Sequence, residues 1–500
     1  MIKLEKTILQ SGHLIYGGDK VAEIPQHIKD NFEDGDLIKV VEKTGEVLHI
    51  PKSVSDLTNK AVDRAVDAFQ QMGSISDDQI SHFYKQFAHY LAEDQIWDRV
   101  KEANQHDIKR ARELGRSTTR LEANDKLRQG MIEGLHDQLN SSGGRQDVVH
   151  SIQHEGWKVD LIKSELGVIG FVFEGRPNVL ADATGVLRSG NTVVFRIGSD
   201  ALTTSKAIME YALIPALKKA GIPEGAVSLV ESLERASAWA LFTNKKLSLA
   251  VARGSGRAVD TLGGLAQQSG IAVSLHGTGG AWVVAENDAD QDRFYEVVKH
   301  SLDRKVCNTL NVCCIMKETA ATFLPLLFKG LQDAADNRGQ QFKCHIVEGD
   351  EHYFSEELRN KDVVIQRADG QFTEKQIETL TEKELATEWE WEESPEITVK
   401  ICDDLDHAIK LYNHYSPQFV ASLISEEGSK HDYFFNHVNA PFVGNGFTRW
   451  VDGQYALNCP ELGLSNWENG RMLARGAILN GESVFTLRVK MSQDDNALHR

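Results

Sequence analysis

Cys307 stands in Ser301-Leu302-Asp303-Arg304-Lys305-Val306-Cys307-Asn308-Thr309-Leu310, after a basic pair and ahead of an apolar run, Val312 to Met316. A free cysteine is most often a buried structural thiol. Here Arg304 and Lys305 favour the thiolate, which is the reactive form. The residue also falls where a strand would emerge from a loop, and loops carry much of protein chemistry. Asn178 is the second position of interest, in Phe173-Glu174-Gly175-Arg176-Pro177-Asn178-Val179. Pro177 suits the first turn of a helix. Asn178 then serves either as a local cap or as an amide facing a developing negative charge. The third is the turn Arg253-Gly254-Ser255-Gly256-Arg257, which follows a strand and opens a helix. Its backbone N–H groups can hold a pyrophosphate. It is not a full Gly-x-Gly-x-x-Gly and reads equally well as a tight connection.

The elements that must position these residues follow from the hydrophobic pattern. Residues 37–50 read as a hairpin, and amphipathic helices recur from Ser55 to Leu139. Gly167 to Phe173 has few polar groups and reads as a strand buried on both faces. Strand and helix patterns then alternate to Gln268, which indicates an α/β fold with a parallel, Rossmann-type nucleotide-binding sheet. A second alternating series starts at Ile271. Within it, Glu374 to Trp391 reads as an exposed acidic lobe. Ser483 to Val489 reads as a late strand.

Composition narrows the function classes. A chain of 500 residues needs two or three domains. A net charge of −18 argues against a general nucleic-acid binder. No apolar run approaches a membrane span, and Met1 to Lys6 lacks the apolar core of a signal peptide. The six cysteines form no Cys-x-x-Cys pair, so no metal site is expected. Such thiols suggest a reducing cytoplasm.

Several stretches resemble one family. Gly167 to Val179 and Leu187-Arg188-Ser189-Gly190-Asn191-Thr192-Val193-Val194 are similar to gamma-glutamyl phosphate reductases (glutamate-5-semialdehyde dehydrogenases), a branch of the aldehyde dehydrogenase superfamily. Val306-Cys307-Asn308-Thr309-Leu310 is similar to the nucleophile motif, and Leu275-His276-Gly277-Thr278-Gly279-Gly280 to the His-Gly-x-Gly turn. Asn445 to Arg449, Asp452-Gly453 and Ala474-Arg475-Gly476 resemble the C-terminal motifs. The resemblance runs from about Trp97 to Arg488.

It implies a thioester mechanism. Cys307 would be the nucleophile, and Asn178 with the Cys307 N–H would form the oxyanion hole. Arg196, Gly198, Ser199, Arg253, Gly254, Ser255, Gly256 and Gly277 would hold the cofactor. Arg196 stands where the superfamily often has Lys. It favours NADPH, since arginine suits a 2′-phosphate, although a surface ion pair explains it equally; NAD stays open. Glu393 (or Glu392) matches a glutamate that contacts the nicotinamide ribose, or is simply an exposed charge. The Glu-Leu-Gly-Gly glutamate that activates water in hydrolytic relatives is missing from the 275–280 turn. This points to phosphate or coenzyme A as acyl acceptor. Arg176, Arg449 and Arg475 are candidate partners for a substrate carboxylate or phosphate, or structural ion pairs. Leu473 to Asn480 and Ala456 to Glu461 depart from the family's motifs, so the pocket can hold something other than glutamyl phosphate.

The expected organisation is a cofactor domain (1–148 and 167–272), an α/β catalytic domain (273–445) and a small β oligomerisation flap (149–166 and 481–500). The expected activity is NADPH-dependent reduction of an acyl phosphate. The alternatives are another NAD(P)-dependent aldehyde or acyl-CoA dehydrogenase, or an inert binding protein on this fold. A homo-oligomer is expected, with an acyl kinase as a candidate partner.

Overall fold

Apolar residues that alternate across both faces of a strand demand cover on both sides, and the central strands meet that demand. The computed structural model describes residues 12–499 apart from 117, 119–120, 174, 368–369, 452–455, 469–470 and 473–475. Strands β1 (Val168–Phe173), β2 (Thr192–Ile197), β3 (Val227–Leu229), β4 (Leu247–Arg253) and β5 (Ala272–His276) form one sheet. Its order is β5-β4-β1-β2-β3, and every neighbour is parallel. Every residue of β1 and β2 is buried. Val168 and Val172 pack with Ala61, Val62 and Ala65 of the helix Lys52–Met72. Ile169, Phe171 and Phe173 point the other way, into a cluster with Phe83, Tyr84, Phe87 and Trp97. The period of two therefore places one helical layer on each face. Strand order reverses between β1 and β4, and the carboxyl ends there open the crevice where such sheets bind nucleotides.

Contacts divide the chain into two units. The first runs to Gly277 and takes back Cys459–Leu464 and the C-terminal residues; the second is Thr278–Asn458 with a short return from Ser465. The expected boundary at 273 is corrected. β5 pairs in parallel with β4, Ala252 opposite Leu275, so its backbone hydrogen bonds belong to the first sheet. The expected end at 445 is likewise too early.

The second unit has its own parallel sheet: β6 (Ala281–Ala285), β7 (Leu310–Met316), β8 (Lys343–Val347), β9 (Ile377–Leu380), β10 (Glu396–Cys402), β11 (Val420–Ile424) and β12 (Phe442–Gly444). Its order is β9-β8-β10-β7-β6-β11-β12. The stretch 374–391 is not an exposed lobe. It contains β9 and buries Leu385 and Trp391. Glu374 is clasped by Arg367 and Lys343, and the Arg367 guanidinium is the main reason its carboxyl is held at about 2. Arg367 continues to the buried Glu396, which also meets His345 at 2.7 Å. Charges that look solvated in sequence are here the glue of a hairpin.

Val148–His154, Trp157–Glu165 and Phe485–Gln493 form a three-stranded antiparallel sheet with Trp157–Glu165 in the middle. This is the segment read as a flap, and it groups with the first unit.

Candidate active site

In the first unit the candidate residues gather at the carboxyl edge of the sheet. Arg253 ends β4 opposite Phe173 of β1, and Arg196 pairs with Val172. Asn178 sits immediately before the helix Val179–Ala183, but its side chain makes no capping bond. Its Nδ2 instead donates to Asp182 Oδ2 at 3.3 Å, one helical turn on. Asp182 is half-buried. Burial pushes its carboxyl up to about 6 against the opposing pull of Arg253, the Asn178 amide and Arg176. Arg176 is thus in the same charge cluster as Asn178.

The glycine turn behaves unevenly. The Gly254 N–H is already spent on the His276 carbonyl, at 3.2 Å. Ser255 occupies the N-cap position of the helix Gly256–Gln268 without a side-chain cap. An anion is therefore best served by the first-turn N–H groups beyond Gly254, at the positive end of that helix. Gly277 sits in tight quarters: a Cβ there would lie 3.2 Å from both Gly256 Cα and Val259 Cβ. Gly198 and Ser199 open the connection after β2. The Gly198 N–H donates to the Phe173 carbonyl, and Ser199 Oγ leans on Asp200.

Arg196 is not a surface residue. It is 8% exposed, within β2, with Nε on Ser237 Oγ at 3.3 Å and Nη2 on the Glu234 carbonyl at 3.2 Å. Burial and the nearby Arg235 both work against its charge. A buried guanidinium within reach of a second arginine's charge suits an anion. The crevice, the helix terminus and Arg196 together fit a dinucleotide cofactor.

In the second unit the candidates meet at the amino edge of the sheet. Cys307 lies in a turn stapled by Thr309, whose hydroxyl accepts from the Val306 N–H at 2.9 Å and donates to the Arg304 carbonyl at 2.7 Å. The Cys307 carbonyl accepts from the Gly280 N–H at 2.6 Å. A Cβ on Gly279 would sit 2.5 Å from Cys307 Cα, so only glycine lets the 278–280 turn pass. Cys307 is the partly exposed thiol; the other five cysteines are buried. Burial pushes Cys313 and Cys344 far above the ordinary thiol range, which leaves them inert.

Three expectations change here. Arg449 is buried at 3% exposure, paired with Asp303, and gives Nε to Asn308 Oδ1 at 3.0 Å. It buttresses the Cys307 turn as a structural ion pair. Glu393 pairs with Arg338 at 2.8 Å, and Arg338 also takes the backbone carbonyls of Glu392, Glu393 and Asp303. That local pairing accounts for it without a ribose. Lys305 is not a bare cation beside the thiol, since it pairs with Glu388 at 2.5 Å. Arg475 lies outside the described residues.

Glu388 and Asp182 were not singled out in the sequence. Asp182 was within reach of an i, i+4 reading from Asn178. Glu388 had no such signal, being one acid of a run.

Residues 178–337 match the model of the aldehyde dehydrogenase family. The chain carries an aldehyde dehydrogenase domain. The match begins at Asn178 and includes Cys307, the two residues reached above from their chemistry. The gamma-glutamyl phosphate reductase of Halothermothrix orenii is 27% identical over 382 residues, 74% of this chain and 83% of that one. The crystal structure of gamma-glutamyl phosphate reductase from Thermotoga maritima has a TM-score of 0.76 at 23% identity, covering 89% of this chain and 100% of that one. An engineered glycolyl-CoA reductase with bound NADP+ has a TM-score of 0.57 at 16% identity, covering 88% and 98%. The fold is therefore the aldehyde dehydrogenase fold, and the domain is that of an oxidoreductase.

Proposed function

We propose that this chain reduces an acyl phosphate, gamma-glutamyl phosphate or a relative, to its semialdehyde with NADPH through a thioester on Cys307. The observation that carries the reading is the partial exposure of Cys307 among otherwise buried cysteines. The residue lies on a turn braced from both sides, with its carbonyl fixed by Gly280 N–H. The homologues named gamma-glutamyl phosphate reductase support the reaction class.

The Cys307 thiolate attacks the acyl carbon, and the carbonyl oxygen takes the negative charge. The Cys307 N–H is assigned as a donor to that oxygen, and the family resemblance gives the Asn178 amide the same role. An asparagine amide has two hydrogens; Asp182 takes one, which sets the plane of the Asn178 amide. The C–O bond to phosphate breaks, inorganic phosphate leaves, and a thioester remains. Bound NADPH supplies the hydride that reduces this thioester. The resulting thiohemiacetal loses the Cys307 sulfur and releases aldehyde. Arg196, within reach of the Arg235 charge, is assigned to the 2′-phosphate, and the first turn of the 256–268 helix to the pyrophosphate. No glutamate stands in the 275–280 turn to activate water, which protects the thioester from hydrolysis.

We infer a homo-oligomer from the flap. Ile152, Val159 and Met491 line up across its three strands, and Leu487, Val489 and Met491 alternate along the last one at 40%, 69% and 54% exposure. Such an apolar face seeks cover, and a second copy supplies it. Among the described residues no helix is long and apolar enough to cross a membrane.

The deciding assay runs the reverse reaction with glutamate semialdehyde and NADP+, varying only phosphate. Phosphate-dependent appearance of NADPH supports the reading. Turnover without phosphate would reject it in favour of a hydrolytic enzyme, and turnover with coenzyme A alone would assign an acyl-CoA reductase.

A further inference from the structure

We propose that Glu388 is a positioning residue that cancels the charge of Lys305 beside Cys307, so that the lysine orders the nucleophile's turn without itself activating the thiol. The proposal rests on Cys307 as nucleophile, but its test needs neither substrate nor cofactor.

Lys305 lies two residues before Cys307, with only 9% of its side chain exposed. Its Nζ is 2.5 Å from Glu388 Oε1 and 3.9 Å from Glu390 Oε1. The other oxygen of Glu388, Oε2, accepts from the Gly279 N–H at 2.7 Å. Gly279 is the residue that passes against the Cys307 backbone, and the next N–H, of Gly280, holds the Cys307 carbonyl. One carboxylate thus joins the lysine of the nucleophile's loop to the turn on which the nucleophile rests.

The carboxylate is delivered there by two backbone pins. Asn311, in β7, donates Nδ2 to the Thr387 carbonyl at 2.8 Å and accepts from the Trp389 N–H at 2.9 Å. Residues on both sides of Glu388 are therefore fixed to the strand that Cys307 leads into. The neighbouring charges are also committed. Asp303 is paired with Arg449, which also reaches the Arg304 carbonyl at 3.3 Å. Arg338 holds the Asp303 carbonyl. Arg304 and Glu390 complete the charged groups of the nucleophile's loop and the 387–391 segment.

A lone lysine next to a thiol stabilises the thiolate, and a lone carboxylate opposes it. Coupled in a largely dry site, the two act on Cys307 as a dipole of small net effect. Removing either partner should expose the other, with opposite consequences for the thiol. A merely structural clamp would loosen the turn whichever partner is lost.

The test is the rate of iodoacetamide alkylation of Cys307 against pH in the full-length protein, read on the peptide containing Cys307, with the five buried thiols as internal controls. Glu388→Gln keeps an acceptor for the Gly279 N–H and exposes Lys305. Its profile should move to lower pH, with alkylation at neutral pH about three- to tenfold faster. Lys305→Met keeps the apolar stem and exposes Glu388. Its profile should move to higher pH by a similar factor. The double variant should return to the wild-type profile. Shifts of both single variants in the same direction, no shift in either, or a double variant further from wild type than the singles would overturn the proposal. If the acyl phosphate reading alone is wrong, the alkylation pattern survives while phosphate-dependent turnover is missing.

Discussion

The two sheets treat buried charge in opposite ways. At the carboxyl edge of the first sheet charges are less fully matched: Arg196 is buried within reach of the Arg235 charge, and the half-buried Asp182 has its carboxyl pushed up to about 6 despite Asn178, Arg253 and Arg176. At the amino edge of the second sheet, charges are paired off: Lys305 with Glu388, Arg449 with Asp303, Arg367 with Glu374 and Glu396. The first arrangement costs stability that an anionic ligand can return on binding. The second uses ion pairs to fix a backbone around one thiol. A region meant to receive charge keeps its own unbalanced, and a region meant to hold a nucleophile still balances it.

The largest effect should come from the paired side. Cys307→Ala should lower turnover on the order of 10⁴-fold or more while NADPH binding, followed by cofactor fluorescence, persists. Retained turnover would sink the thioester mechanism. Gly279→Ala tests the same turn through the backbone. Its methyl would collide with Cys307 Cα and carbonyl, so Cys307 alkylation and turnover should both collapse, with a stability loss of about 1–3 kcal/mol in urea unfolding.

On the unbalanced side the effects are smaller. Arg196→Met should weaken NADPH roughly 10–100-fold, the range for a charged hydrogen bond, and leave NADH nearly unchanged. Equal loss of both cofactors would remove the 2′-phosphate assignment. Asp182→Asn keeps an oxygen for the Asn178 amide and removes the charge. Burial pushes the folded carboxyl up to about 6 from an ordinary 3.8. Its neutral form is thus favoured by folding, so stability is fullest below about pH 4 and falls as pH rises through 6. The cost above that is of the order of 1–3 kcal/mol. The variant should therefore melt close to wild type at pH 4 and several degrees higher at pH 7.5. No widening of that difference would show Asp182 to be paired by something other than Asn178 and Arg253.

Much of this was legible in the residues, for local reasons. Buried runs such as Val168–Phe173, punctuated by glycine turns, have one solution, a covered parallel strand. Cys307 and Asn178 carry chemical signals in their immediate neighbours. The errors came where position is decided at long range. Ala272–His276 reads like any parallel strand, and only its pairing with Leu249–Arg253 assigns it to the first unit. The acidic run near 388–396 offers several carboxylates of equal appearance. Packing turns Glu388 toward Lys305, 83 residues away, and leaves Glu393 with Arg338. Arg449 reads by type as a substrate anchor or a structural ion pair, and burial with Asp303 makes it the brace.

The first unit is also interrupted. Ser189 Oγ donates to the Gly481 carbonyl and Asn191 Nδ2 to the Val484 carbonyl, 292 and 293 residues away. During synthesis these acceptors emerge only after the whole second unit has been made. The second sheet pairs residues within one continuous stretch, so it should fold while the chain is still growing; the nucleotide-binding sheet must wait for its closing segment. The Cys307 turn is then built before the first sheet is closed, and pulse proteolysis of ribosome-held chains that end at residue 476 and are extended by a tunnel-spanning linker should find the second unit protected and the first still cut.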